Sequence, residues 1–125
     1  MTNETKKILD EKINLTATCV RIPVLVAHSE SVNIQFEKPF SLNEVNNALN
    51  NFEGCKVIDE RSDGGYSSPV EAAGKDETFI SRIRKDKTNE NTLNLWIVSD
   101  NLLRGAALNS VEIAEILIKY NLHGK

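Results

Sequence analysis

The sequence predicts an α+β fold, a mixed β-sheet with helices, on three observations. Several runs alternate apolar and β-branched residues with polar ones, as half-buried strands do. Other segments repeat apolar residues at helical spacing, with capping residues ahead of them. Strands and helices also follow one another irregularly, unlike the regular alternation of a parallel winding. At 125 residues the chain suits one modest core, and 40% apolar with only 6% aromatic content makes that core aliphatic.

Residues 2–9, "TNETKKIL", read as a short helix with Thr2 as cap and Ile8 and Leu9 as its first apolar residues. No staple or capping box precedes it, so this helix lacks a proper beginning. "NLTATCVRIPV", residues 14–24, alternates and is β-branched, which predicts a strand. "SVNIQFEKPF", residues 31–40, sets Val32, Ile34 and Phe36 opposite Asn33, Gln35 and Glu37, a half-buried strand ended by Pro39. "SLNEVNNALNNF" opens with Ser41 and Glu44 at capping-box spacing and puts Leu42, Val45, Ala48, Leu49 and Phe52 on one helical face. "CKVID" reads as a short strand, and "ERSDGGYSSP", residues 60–69, is the richest turn and loop signal. "TFISRIRKD" and "LNLWIVSD" are further strands, separated by the polar loop "KTNEN". The last element, residues 101–125, reads as one long helix capped by Asp100, with Gly124 after its end. Leu103, Ala106, Ala107, Ser110, Ala114, Leu117 and Ile118 stack on one side of it. Its small-sided stretch at Gly105–Ala107 permits close approach to the domain's own sheet or to a surface outside the chain.

Composition also excludes function classes. The net charge is −3, and Lys and Arg are spread among acids, so no basic stripe argues for nucleic acid. No apolar run is long enough to span a bilayer, and the polar N-terminus has no signal-peptide core, which points away from membranes and to the cytoplasm. Cys19 and Cys55 form neither a disulfide framework nor a zinc spacing, so reduced thiols and no metal site are expected.

The chemistry-bearing stretch is "RIPVLVAHSES", from Arg21 to Ser31. On one straight strand Arg21 and His28 would point to opposite faces, roughly 23 Å apart at about 3.3 Å per residue. Pro23 gives a reason for a bend between them, because it removes a ladder donor and fixes φ. With that bend, a guanidinium could grip a carboxylate by two parallel hydrogen bonds while an imidazole moves protons near neutral pH. The ordinary alternative is a surface ion pair for Arg21 and a satisfied ring for His28 at a strand end. A Cys19–His28 pair is a third arrangement, but a strand cysteine is more often an inert small hydrophobe, and no helix N-terminus lowers the pKa of this one.

The strings "NETKKIL…TATCVRIPVLVAHSESVNIQFEKPFS", "SPVEAAGKDETFISRIRKD" and "LNLWIVSDNLLRGAALNSVEIAEIL" resemble the aspartate-semialdehyde dehydrogenases. The resemblance covers nearly the whole chain, in the family's order and spacing, and is nearest the bacterial branch typified by Gram-positive enzymes. It implies a glyceraldehyde-3-phosphate-dehydrogenase-like C-terminal domain. Residues 1–98 would be part of the substrate-binding and dimerisation domain. Residues 99–125 would be a C-terminal helix belonging to the NADP-binding domain. It implies NADP-dependent interconversion of aspartate semialdehyde plus phosphate and 4-aspartyl phosphate, in lysine, threonine and methionine biosynthesis, by a homodimer. In that chemistry a cysteine thiolate attacks the aldehyde, the hemithioacetal passes hydride to NADP, and phosphate attacks the thioester. His28 matches the family's acid/base histidine and Arg21 the arginine that binds the substrate carboxylate. Asn101 matches a position near the nicotinamide end of the cofactor; the alternative for Asn101 is a second helix-capping amide beside Asp100.

The departures from the family matter equally. No glycine-rich strand–turn–helix occurs among the 125 residues, the family's nucleophilic cysteine in its asparagine- and proline-flanked turn is missing, and so is the Glu-x-x-Lys motif that the resemblance places just before "MTNETKKI". The chain thus resembles the C-terminal third of the enzyme, starting at an internal methionine, as a truncated or split gene or a late start would give. A separately encoded N-terminal half would supply the rest. Two other readings are a non-catalytic dimerisation remnant and a related reductase of an N-acetylated glutamyl phosphate, whose pocket lacks the "RIPV…HSES" context.

Overall fold

The segments 78–85 and 92–99 carry apolar side chains on both sides, Phe79 and Val98 on one and Ile80, Leu93 and Leu95 on the other, and the sheet they form is covered on both faces. The computed structural model describes residues 1–122. Its strands are β1 (His28–Gln35), β2 (Cys55–Val57), β3 (Thr78–Lys85) and β4 (Thr92–Ser99), arranged in one sheet in the order β1-β4-β3-β2. β4 runs antiparallel to both neighbours, and β2 runs parallel to β3. The helices are α1 (Thr2–Ile8), α2 (Leu42–Asn51), the single turn α3 (Pro69–Ala72) and α4 (Leu108–Lys119). The expected α+β class holds.

One sheet face packs under α2. Ile80, Ile83, Leu93 and Leu95 are buried there, against Val32, Ile34, Val45 and Leu49. The other face buries Ala27, Ala72, Phe79 and Val98, with Ile58 and Trp96 at the margin. Trp96 donates its indole N–H to the Ser67 carbonyl at 2.8 Å, so the partly buried ring keeps its donor paired.

α2 starts where its capping box predicts. Ser41 Oγ accepts the Glu44 N–H at 3.1 Å, and Glu44 accepts the Ser41 N–H at 2.8 Å. Phe52 departs from the expected face. The helix ends at Asn51, Phe52 turns extended, and its ring is 69% exposed. A second capping box lies inside the expected loop: Glu71 accepts from the Ser68 N–H at 2.7 Å, with Pro69 at the first helical position.

β3 contains a bulge that strict alternation would miss. A regular strand would put Arg82 on the α2 face beside Ile80. Instead two residues, Arg82 and Ile83, stand between the pairs Ser81↔Trp96 and Arg84↔Asn94, and Ile83 takes the core position. Arg82 has φ 57°. The Asp59 carboxylate accepts the N–H groups of Arg82 (2.7 Å) and Ile83 (3.2 Å), and Arg61 donates to the Ile83 carbonyl at 2.8 Å.

Three expected elements differ. The segment 14–24 is not a strand; it is irregular and largely exposed, because β1 pairs only with β4 and offers these residues no ladder. The next strand begins at His28 rather than Ser31 and ends at Gln35, after which Phe36 packs edge-on against Phe40 at 5.0 Å. The long helix from residue 101 is broken: Gly105 has φ 88°, Arg104 and Ala106 are also non-helical, and α4 starts only at Leu108. Ala106 and Ala107 are exposed, and no residue of α4 is buried, so the small-sided stretch does not pack on the sheet. α4 ends at Lys119; beyond it Asn121 takes φ 53° and the Leu122 N–H returns to the Leu117 carbonyl at 2.8 Å. The expected stop at Gly124 lies outside the described residues. α1 likewise buries nothing and starts at Thr2 itself, with Met1 ahead of it.

Two side chains hold the broken segment. Arg104 donates to the Asp76 carbonyl (3.0 and 2.8 Å) and pairs with Glu112 on α4. Gly54, φ 82°, lies under that guanidinium, where a Cβ would meet Nη2 at 2.7 Å. Asp100, 3% exposed, accepts N–H bonds from Gly74 (2.7 Å), Leu102 (2.8 Å) and Leu103 (3.3 Å). Those bonds, the Gly74 one foremost, hold its carboxyl below the usual carboxylate range.

Two outcomes are expected. Asp59→Ala strands two N–H groups at the bulge and should lower the unfolding free energy by about 2–3 kcal/mol in urea titration, whereas Asp63→Ala in the exposed loop should leave it unchanged. Asp100→Asn should also destabilise the chain near neutrality. Because the folded pKa of Asp100 is depressed, its contribution is full above the unfolded value of about 4 and is lost as pH falls through the folded value. Denaturation midpoints of wild type and variant should therefore converge below about pH 4.

Candidate functional site

The end of the sheet where β1 begins is also where β4 stops, and the ladder enforces this: His28, the first residue of β1, pairs with Ser99, the last of β4. The residues following β4, Asp100 and Asn101, are therefore delivered beside the residue preceding β1, Ala27. Asn101 Oδ1 accepts the Ala27 N–H at 2.8 Å, across 74 positions of sequence. Asn101 is thus neither a helix-capping amide nor a free side chain; the capping is done by Asp100 alone.

Ala27 is 5% exposed and has φ 84°, a left-handed conformation that costs a non-glycine residue about 1–2 kcal/mol. The residue carries no sequence signal of its own, since alanine is not a turn residue, and its role emerges only from the backbone. The imidazole of His28 is exposed at the strand start.

Pro23 bends the chain as expected. The Val24 N–H bonds the Ile22 carbonyl at 2.9 Å, a γ-turn centred on the proline, and a further bend follows at residues 25–26. Arg21 lies before this turn on the irregular segment and is exposed. Among the described residues neither the Arg21 guanidinium nor the His28 imidazole has a hydrogen-bond or ion-pair partner, so the surface ion pair considered for Arg21 does not form there. The tertiary structure brings Asn101 to Ala27, the neighbour of His28, and leaves Arg21 on an exposed strap, where Leu25 is fully exposed and Val20 76% exposed.

The cysteines make no pair with His28. The exposed Cys19 thiol is directed at Met1 Sδ, 3.8 Å away. Cys55 is half-buried under α2, and burial pushes its thiol up, only partly offset by the Arg104 guanidinium. A raised pKa makes Cys55 a poor nucleophile near neutrality. Among the described residues no three His, Cys, Asp or Glu side chains come together as metal ligands, and no helix is long and apolar enough to cross a membrane. A concavity of about 320 Å³ between β2, the 60–69 loop and α3 is lined by Lys56, Tyr66, Glu71 and Lys75, and none of the three candidate residues reaches it.

Residues 1–104 match the family described as "Semialdehyde dehydrogenase, dimerisation domain". The chain is 48% identical over 123 residues to the aspartate-semialdehyde dehydrogenase of Aquifex aeolicus and 46% identical over 124 residues to that of Bacillus subtilis. Each match takes in 98% of this chain and 36% of the relative. Among solved structures, aspartate semialdehyde dehydrogenase II of Vibrio cholerae complexed with ASA superposes with a TM-score of 0.88 at 36% identity, over 95% of this chain and 35% of that one. A probable aspartate-semialdehyde dehydrogenase of Pseudomonas aeruginosa gives 0.85 at 38% identity, over 96% of this chain and 36% of that one. The chain therefore spans little more than a third of the proteins it matches. The family match and these likenesses agree: the chain belongs to the aspartate-semialdehyde dehydrogenase family, with residues 1–104 corresponding to its dimerisation domain.

Proposed function

We propose that these residues form the substrate-binding and dimerisation part of an NADP-dependent aspartate-semialdehyde dehydrogenase, which interconverts aspartate semialdehyde plus phosphate and 4-aspartyl phosphate. The observation that carries this reading is the Asn101–Ala27 hydrogen bond. It sets two of the three residues that resemble family site positions at one end of the sheet. Residues 1–98 would act as the substrate and dimer domain, and the segment from residue 99 would pack on a nucleotide-binding domain.

In this reading each residue has a chemical task. Arg21 binds the substrate carboxylate through parallel N–H donors. His28 takes the proton from a cysteine thiol or from the hemithioacetal oxygen and returns it in the reverse direction. Neither thiol of this chain is placed for that role, so the nucleophile comes from further polypeptide. Asn101 suits the carboxamide end of NADP, since its oxygen is bonded to Ala27 and its amide N–H groups have no partner among the described residues. The fit covers that end alone, for the sequence has no glycine-rich strand–turn–helix to cradle a pyrophosphate. NADP, when bound, supplies the hydride acceptor. The exposed apolar residues of α4, among them Val111, Ile116 and Ile118, and the bare strap around Leu25 give surfaces for the remaining domain and a second subunit.

A second reading, a dimerisation module without chemistry, is favoured by the match to a dimerisation domain alone. An assay with semialdehyde, phosphate and NADP separates the two. The purified 125-residue chain should show no turnover. Supplied with the N-terminal portion of a family member, it should turn over, with His28→Asn lowering kcat about 10²–10⁴-fold and Arg21→Ala raising KM for the semialdehyde. Turnover by the chain alone, or full activity of His28→Asn in the reconstituted enzyme, would refute the assignment.

A further inference from the structure

We infer that Asn101 is a positioning residue for His28: its amide oxygen clamps the left-handed backbone at Ala27 and thereby fixes how the histidine enters β1. The Ala27 N–H is buried one residue beyond the last ladder pair, so no strand partner is available to it. A buried N–H needs an acceptor, and Asn101 Oδ1 at 2.8 Å is the one it has. The methyl of Ala27 is held at the same time in the cluster with Ala72, Phe79 and Val98. An alanine at φ 84° persists only where its surroundings over-determine it, and here the contacts come from both sides.

Asn101 is itself rigidly placed. Asp100 beside it is fixed by the N–H groups of Gly74, Leu102 and Leu103, and Ser99 before it is paired with His28. The result is a closed ring of constraints running from the Asn101 side chain through Ala27, His28 and Ser99 and back through Asp100. Released from the clamp, Ala27 would relax toward negative φ and swing the imidazole away from its place at the strand start. The clamp also fixes amide polarity. One lone pair of Asn101 Oδ1 is engaged by Ala27, and its side-chain NH2, which has no partner among the described residues, is left to donate to a ligand.

This deepens the proposed site, but its structural core is independent of what His28 catalyses. Amide exchange and histidine resonances in the full chain test it. In wild type and in Asn101→Asp, which keeps an acceptor oxygen, the Ala27 amide should be protected and the His28 signals alike. In Asn101→Ala the Ala27 amide should exchange about tenfold faster and the His28 backbone and ring signals should shift. Adding Ala27→Gly to Asn101→Ala should return the His28 signals toward wild type, because glycine takes positive φ without a clamp. An unprotected Ala27 amide in wild type, or unchanged His28 signals in a folded Asn101→Ala, would overturn the inference. If Asn101→Ala does not fold, Asn101→Asp decides: a protected amide supports the clamp, and a folded variant with an unprotected amide refutes it. Failure of His28 as a proton carrier would show only in the activity assay, so the two readings fail separately.

Discussion

A buried carboxylate at the end of the central strand organises this domain. Asp100 gathers three backbone N–H groups, from the turn after α3 and from the turn after β4. By doing so it stops β4, satisfies donors that no strand can reach, and points the following residue back across the sheet end. Asn101 then meets Ala27, and His28 starts β1 opposite Ser99. Take the charge from Asp100 and these N–H groups compete for a poorer acceptor in a nearly dry setting, where unmade hydrogen bonds are costly.

The same device recurs. Glu44 and Glu71 close the starts of α2 and α3, and Asp59 serves the two N–H groups of the bulge. Asp86, in the β3–β4 connection, accepts from Thr88, Asn33 and Asn94, and the bonds from Thr88 and Asn94, the Thr88 hydroxyl first, hold its carboxyl far below the usual range. Short strands and single-turn helices leave many chain ends, and ends are where backbone donors lack partners. Carboxylates, which only accept when ionised, are the natural complement to them.

The apolar residues outside the core are as informative as those inside. α4 buries nothing, and Val20 and Leu25 stand out from the irregular strap. The chain aligns with little more than a third of the relatives' length, and in the proposed function these are the surfaces that would meet the remaining domain and a second subunit. Arg21 shares that exposed strap, so the turn at Pro23 supplies the flexure for it to approach His28 without by itself enforcing the approach.

The sequence by itself determined the α+β class, the capping box of α2, the β3 and β4 strands and the bend at Pro23, because each is written in residues close together in the chain. The family likeness was legible for the same reason, in long contiguous strings. The S-x-x-E signal at Ser68 was equally legible but lay inside a turn-rich stretch that masked it. What only the tertiary structure decided were features set by distant partners. The alternation at 14–24 found no ladder, so it made no strand. The helical spacing after Asn101 was overruled at Gly105, where Arg104 anchors to Asp76. The left-handed Ala27 and its bond to Asn101 join residues 74 positions apart, and no local propensity encodes a contact that exists only once the sheet has closed its register.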